Sequence, residues 1–312
     1  MKTCKKIHRV LVIKLGAMGD MVQATGPFQA IRNHHSDSHI ALLTTSPYKD
    51  FANSGRWFDE ILIDERPTWH QWRSWFELIL KIKQEKYNRI YDLQTSDRTA
   101  IIYHLLSLFY KVDWCGSASG CSHYHGNPKR DLMHTLERQA EQLSLASVTN
   151  VPPPNLNNIR PEGQKFILPE PYVLLAPGGS LHRPEKRWPK KNYAKLAKRL
   201  LIRGITPVVI GGSAETQIGS AITAYCPGAK DLTTKTSMID IIGLSRKASG
   251  SVGNDTGPMH IIGATGTPTL VLFSHSSDPA ICGQRGENVK ILRIESLEKL
   301  SVDEVEANMR LR

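Results

Sequence analysis

The chain has 312 residues, 40% hydrophobic and 22% charged, which excludes a disordered or fibrous protein and suits two globular domains of ordinary size. Its longest apolar run, 101–110, is broken by His104 and is far shorter than the roughly 20 residues of a membrane-spanning helix. The net charge of +11 is spread evenly, with 20 basic against 15 acidic residues in 1–160 and 20 against 14 in the rest, which argues against a basic nucleic-acid-binding tail.

The basic N-terminus is followed by Val10–Ile13, but Lys14 cuts this run too short for the apolar core of a signal peptide, so a cytoplasmic location is expected. Arg9–Lys14 reads as a buried strand, Leu15–Gly19 as a glycine turn, and Asp20 to His34 as one helix. Strands are predicted at Ile40–Thr44, Glu60–Ile63 and Arg89–Leu93, and helices at Arg73–Gln84, Thr99–Tyr110 and Thr135–Leu145. Residues 151–171 hold six prolines and three asparagines and read as a linker.

The second half begins like the first. Strand Tyr172–Ala176 runs into the turn Pro177–Gly179, and a helix follows at Lys190–Arg203. Strands at Pro207–Ile210, Gly250–Val252 and Thr269–Phe273 then alternate with helices at Ala214–Tyr225 and Met238–Lys247, and 295–312 is helix-like. Short apolar strands alternating with helices imply parallel sheets covered on both faces. The expected class is α/β, with two Rossmann-like doubly wound domains at 1–150 and 172–290 facing a cleft. The tail, 291–312, is expected to return to the first domain. Ligands of such sheets lie outside the carboxyl ends of the strands, where both glycine turns fall.

The stretch 254–279 is the richest in chemistry. Asp255, Thr256 and Gly257 stand where a helix begins, so free N–H groups and the positive end of the helix dipole form an anion site, most naturally for a nucleotide diphosphate. After the turn Ala176–Ser180 come Arg183, Lys186 and Arg187, which can neutralise a diphosphate leaving group without a metal; a solvated loop is the alternative. Glu215, after the third glycine turn, suits a ribose hydroxyl. Asp20 falls in a first helical turn, where capping is also a common use.

Gly16 and Gly19 alone do not make a G-x-G-x-x-G fingerprint, and there is no Walker lysine motif, D-x-D or G-x-S-x-G. Five scattered cysteines imply no disulfide framework. Cys115 and Cys121 lie near His123 and His125, but the spacing matches no common zinc site and the composition suits a loop equally well. Trp69, Trp72 and Trp75, spaced by three among Arg66 and Arg73, are either one buried helix face or a surface for a phosphorylated, greasily anchored sugar or a membrane.

Six landmarks in order, 10–27 (V-L-V-I-K-L-G-A-M-G-D-M-V-Q-A-T-G-P), 91–99 (Y-D-L-Q-T-S-D-R-T), 174–180 (L-L-A-P-G-G-S), 185–189 (E-K-R-W-P), 211–215 (G-G-S-A-E) and 254–260 (N-D-T-G-P-M-H), make the chain resemble glycosyltransferase family 9, the heptosyltransferases of the lipopolysaccharide inner core. The resemblance covers nearly the whole chain. It implies a GT-B fold and inverting, metal-independent transfer from ADP-L-glycero-D-manno-heptose to a sugar hydroxyl of a lipid-linked, anionic acceptor. The ADP-sugar is a substrate, and no cofactor is implied.

By the same resemblance Asp20 is the general base and Lys186 contacts the donor phosphates. Ser180, Glu215, Thr216, Thr236, Asp255, Thr256, Gly257 and His260 face the donor, with Glu215 or Thr216 at the ribose and Thr236 near the adenine. Gly19, Arg66 and Arg98 face the acceptor. The acceptor also implies peripheral contact with the inner membrane surface. A carboxylate repels diphosphate, so Asp255 is assigned to sugar hydroxyls or to orienting its turn. His275–Asp278 departs from the family's Gly-Pro-Thr-Asp-like turn, which puts the donor-site floor and the sugar identity in question. Rival readings are a GT-B enzyme with another nucleotide sugar, a nucleotide-sugar epimerase, or a non-catalytic nucleotide-binding module.

Overall fold

The computed structural model describes residues 9–161, 163, 165–180 and 182–312; Cys4 lies outside them. The chain forms two compact units that divide between Pro153 and Pro154, inside the expected linker.

The first unit begins with β1 (Arg9–Ile13), α1 (Met18–Gln23), α2 (Thr25–His34), β2 (His39–Thr44), α3 (Lys49–Ser54) and β3 (Glu60–Ile63). It continues through α4 (Trp72–Gln84), β4 (Arg89–Asp92), α5 (Asp97–Ser107), β5 (Asp113–Gly116), β6 (His123–Tyr124) and α6 (Thr135–Ser144). All strand pairs are parallel, in the order β3-β2-β1-β4-β5-β6. One face of this sheet, with Leu11, Ile13, Leu43 and Ile90, packs on Trp75, Ile79 and Ile82 of α4 and Ile102 and Leu106 of α5. The helix expected over 20–34 is broken at Ala24. Pro27 has no N–H to return to Gln23, so the ladder restarts as α2.

The second unit repeats the plan with β7 (Tyr172–Ala176), α7 (Lys190–Ile202), β8 (Thr206–Val209), α8 (Thr216–Tyr225), β9 (Lys230–Asp231) and α9 (Met238–Lys247). Then follow β10 (Gly250–Asn254), α10 (Gly257–Ala264), β11 (Thr269–Phe273), α11 (Pro279–Cys282), β12 (Val289–Arg293) and α12 (Val302–Asn308). Its parallel sheet runs β12-β11-β10-β7-β8-β9, the strand order of the first sheet taken from the other edge. In each unit the first and fourth strands are neighbours, and the connections diverge from that pair to opposite sides. This is the topological switch point at which doubly wound sheets bind ligands.

The tail corrects the expectation. Residues 291–312 belong to the second unit, where β12 is the sixth strand and crosses the expected limit at 290. Val302 and Val305 of α12 enter the core beside Leu200 of α7, and Arg199 bonds Asp303 at 2.5 Å and Glu306 at 3.0 Å. The apolar residues Leu297, Leu300, Val302 and Val305 are therefore consumed by α7 and its sheet rather than by the first unit.

Candidate active site

At the switch point of the first sheet, β1 ends at Ile13 and the chain turns through Gly16 into α1. Gly16 has φ +123°, and a Cβ there would stand 2.5 Å from the Tyr48 ring, so glycine is required. Asp20 is the third residue of α1, and its Oδ2 accepts the Ala17 N–H at 3.2 Å. It thus caps its own helix while remaining part-exposed at a pocket of about 640 Å³, which Ala17, Tyr48, Arg66 and Gln94 also line. Burial and the Asp20 charge push the Tyr48 phenol up, with Arg66 opposing. Gly19 precedes Asp20 in the same helical turn.

Beneath this pocket Lys14 is buried, and its Nζ donates to the Leu93 carbonyl at 3.2 Å, tying the end of β1 to the end of β4. Desolvation lowers its pKa, while the charges of Asp20 and Asp92 pull it back up. Asp92 is buried as well. Its Oδ1 accepts the N–H groups of Gln94 and Thr95, and burial raises its carboxyl to about 6.

Arg66 and Arg98 part company. Arg66 lines the pocket. Arg98 grips buried Asp64 with two bonds of 2.6 and 2.8 Å, donates to the Pro67 carbonyl at 3.3 Å, and lies 4.2 Å from the Trp75 ring centroid. Its fork is occupied in holding the loop that carries Arg66.

In the second unit the turn after β7 and the end of β10 meet at the other switch point. Buried Asn254 joins them: Nδ2 donates to the carbonyls of Pro177 and Gly178 at 2.8 and 2.9 Å, and Oδ1 accepts from Trp188 N and Tyr193 Oη, both at 3.0 Å. All four bonding positions of the amide are thereby used. The next residue, Asp255, accepts Lys186 Nζ at 2.8 Å on Oδ2 and Gln284 Nε2 at 3.1 Å on Oδ1. Thr256 is the N-cap of α10 and Gly257 its first residue, so the ion pair stands at the positive end of that helix.

The other expected donor residues lie on several elements of the second unit. Arg187 donates to the Gly179 carbonyl at 2.7 Å, whereas Ser180 and Arg183 are exposed. Glu215 is buried, accepts the Gly212 N–H at 2.8 Å, and presses on Gly178 and Gly211, where added Cβ atoms would approach it to 2.9 and 2.6 Å. Thr216 opens α8 and bonds the Ser213 carbonyl. His260 lies on α10, and Thr236 lies between β9 and α9. Tyr48, the buried amide of Asn254 and Gln284 were not anticipated. Asn254 at least sits in the 254–260 landmark, but Gln284 has no sequence signal because it reaches Asp255 only through the fold.

The profile of glycosyltransferase family 9 (heptosyltransferase) matches residues 75–309, most of the chain. The chain belongs to this family. A family 9 chain is a glycosyltransferase, and its curated relatives bear names consistent with that. The chain is 29% identical over 147 residues to lipooligosaccharide heptosyltransferase 2 of Haemophilus influenzae, an alignment covering 45% of this chain and 42% of the relative. It is 23% identical to lipopolysaccharide heptosyltransferase 2 of Salmonella typhimurium, over 68% of this chain and 67% of that one. The structure of E. coli ADP-heptose LPS heptosyltransferase II superposes with a TM-score of 0.78 at 20% identity, over 95% of this chain and 96% of that one. The fold is therefore GT-B, with two Rossmann-like domains in one chain.

The 275–278 turn and the Cys/His cluster both have partners within their own units. In the 275–278 turn, Asp278 caps α11 by accepting the Ala280 N–H at 3.0 Å and pairs with Arg293, while His275 bonds the Glu295 carbonyl. The thiols of Cys115 and Cys121 donate to the carbonyls of Gln142 and Gly116. His123 pairs with Asp113 and His125 with Glu141. Burial pushes the Cys115 thiol up to about 12.

Proposed function

We propose that the chain is an inverting, metal-independent heptosyltransferase that moves L-glycero-D-manno-heptose from ADP-heptose to a sugar hydroxyl of the lipopolysaccharide inner core. The observation that carries this is the Lys186–Asp255 pair at the N-terminus of α10, in a chain of family 9. The acceptor oxygen attacks the anomeric carbon as the bond to the diphosphate breaks, the acceptor proton passes to the Asp20 carboxylate, and ADP departs. Lys186 and the N-terminal N–H groups of α10 meet the charge on the leaving diphosphate. Asp255, held by Gln284, positions Lys186 in this scheme and contacts no phosphate. Ser180, Glu215, Thr216, Thr236, Thr256, Gly257 and His260 complete the donor site. Gly19 and Arg66 serve the acceptor, and Arg98 supports Arg66.

The acceptor is lipid-linked and anionic, so the enzyme works in peripheral contact with the cytoplasmic face of the inner membrane. Among the described residues no helix is long and apolar enough to cross it. The test is a thermal-shift panel of ADP, UDP, GDP and CDP. ADP alone should raise the melting temperature, because a ligand at a hundredfold excess over Kd adds about 2.7 kcal/mol to native-state stability. A preference for UDP would overturn the choice of donor.

A further inference from the structure

The three tryptophans around the start of α4 do not form one face. Trp75 is buried against the sheet, whereas Trp69 and Trp72 are 70% and 66% exposed, as is Phe76 at 51%. Trp72 and Phe76 are one turn apart on the outer side of α4. Trp69 stacks on Trp75 with centroids 5.9 Å apart, so its outward position is fixed by packing. The outer stripe continues through half-buried Leu80 to Lys83. The Lys83 ammonium lies 4.4 Å from the ring centroid of Phe109, itself exposed beside exposed Leu108 just after α5.

Charge indicates what covers this face. A cation sits on an aromatic ring at each end, Arg73 at 5.3 Å from the Trp72 centroid and Lys83 on Phe109. Residues 65–86 carry five Lys or Arg against three Glu, and one of those, Glu85, is already paired with Arg9. Exposed indole and phenyl rings interleaved with cations match the boundary of an anionic bilayer, where rings settle at headgroup level and cations meet lipid phosphates.

We propose that the outer face of α4, with Trp69, Trp72, Phe76, Arg73 and Lys83, docks on the surface of an anionic phospholipid bilayer. This rests on the lipid-linked acceptor proposed above and gives that contact an address. Arg66, which lines the Asp20 pocket, precedes Trp69 by three residues on the loop clamped by Arg98. Docking through α4 therefore brings the acceptor pocket to the headgroup layer.

The experiment is co-sedimentation of the full chain with vesicles of phosphatidylcholine alone or mixed with phosphatidylglycerol, together with tryptophan emission. Trp57, Trp75, Trp114 and Trp188 are already buried, so a vesicle-dependent blue shift reports Trp69 and Trp72. The wild type is expected to sediment with the phosphatidylglycerol vesicles and to shift. Trp72→Ser with Phe76→Ser should weaken that binding about tenfold or more without lowering the melting temperature, since both side chains are exposed and the Trp69–Trp75 stack survives. Arg73→Glu with Lys83→Glu should abolish the preference for phosphatidylglycerol.

Wild type that stays in the supernatant, or a Trp72→Ser/Phe76→Ser chain that sediments equally well, overturns the proposal. So does a wild-type dimer in sedimentation velocity that the same double substitution makes monomeric, because the face would then belong to a second copy. Transfer to an acceptor saccharide freed of its acyl chains separates the two readings. Vesicle binding without such transfer supports the docking face and sinks the transferase reading, and transfer without vesicle binding does the reverse.

Discussion

In the first sheet an ammonium ties the two strands of the switch point, and at the same place in the second sheet an amide does so. Lys14 reaches from the end of β1 to the carbonyl after β4; Asn254 reaches from the end of β10 to the carbonyls after β7. Strand order and connection are the same, so the difference lies in the residues alone. The charged tie sits with two carboxylates, Asp92 buried beside it and Asp20 at the pocket. The neutral tie leaves the ion pair to Lys186 and Asp255, one step outward at the helix N-terminus. In the proposed mechanism, a common backbone thus gives one switch point a carboxylate to take the acceptor proton and the other a cation to meet the diphosphate.

Removing each partner tests that division, and the largest effect is expected at Asp20. Asp20→Ala should lower the transfer rate roughly a thousandfold while ADP still raises the melting temperature. Disappearance of the ADP effect would make Asp20 a helix cap and nothing more. Lys186→Ala should lower kcat about a hundredfold or more, since it removes the ammonium paired with Asp255 at the proposed leaving-group site. An unchanged kcat with a raised KM would assign Lys186 to ground-state binding instead.

The ties themselves should differ in strength and in pH dependence. Asn254→Ala leaves two buried carbonyls and two donors without their partner, and should cost about 3 kcal/mol in urea unfolding. That loss should be the same at pH 5 and pH 8, because Asn254 bonds two carbonyls, a backbone N–H and the Tyr193 phenol, which burial raises well above its ordinary range. The smallest effect is expected at Asp92. A carboxyl whose folded pKa, about 6, lies above its unfolded value makes the native state the better proton binder. Its contribution is complete below about pH 4 and fades as pH rises through about 6. Asp92→Asn should therefore gain on wild type by on the order of 2 kcal/mol between pH 4 and pH 8. Parallel curves would show that Lys14 holds the Asp92 charge at no net cost.

The sheets were legible because β1 and β7, at their centres, carry short apolar runs, Val10–Ile13 and Val173–Ala176, buried on both faces. Strands β6 and β9 have two residues each and no periodicity to detect, and β12 is a half-exposed edge strand with Lys290 and Arg293 in it. The α1–α2 break was marked by Pro27 but outweighed by the helical pattern around it. At the site, Asp20, Lys186 and Asp255 were identifiable individually. That Lys186 and Asp255 meet was not, because 69 residues separate them and only the parallel pairing of β7 with β10 brings their loops together. Arg98 looked like Arg66 in composition; buried Asp64 distinguishes them.

The Glu215 carboxylate fills the space left by two missing methyl groups, one at Gly178 on the donor turn and one at Gly211 behind it. A side chain added at 178 or at 211 consequently meets the same residue, Glu215. At Gly211 even alanine would stand 2.6 Å from the Glu215 Cβ, which no side-chain rotation relieves. Shortening the acid would make room for a side chain at 178, which meets the far end of Glu215, but not for one at 211, which meets the Cβ itself. One side chain, at 215, therefore sets what both glycine turns can hold.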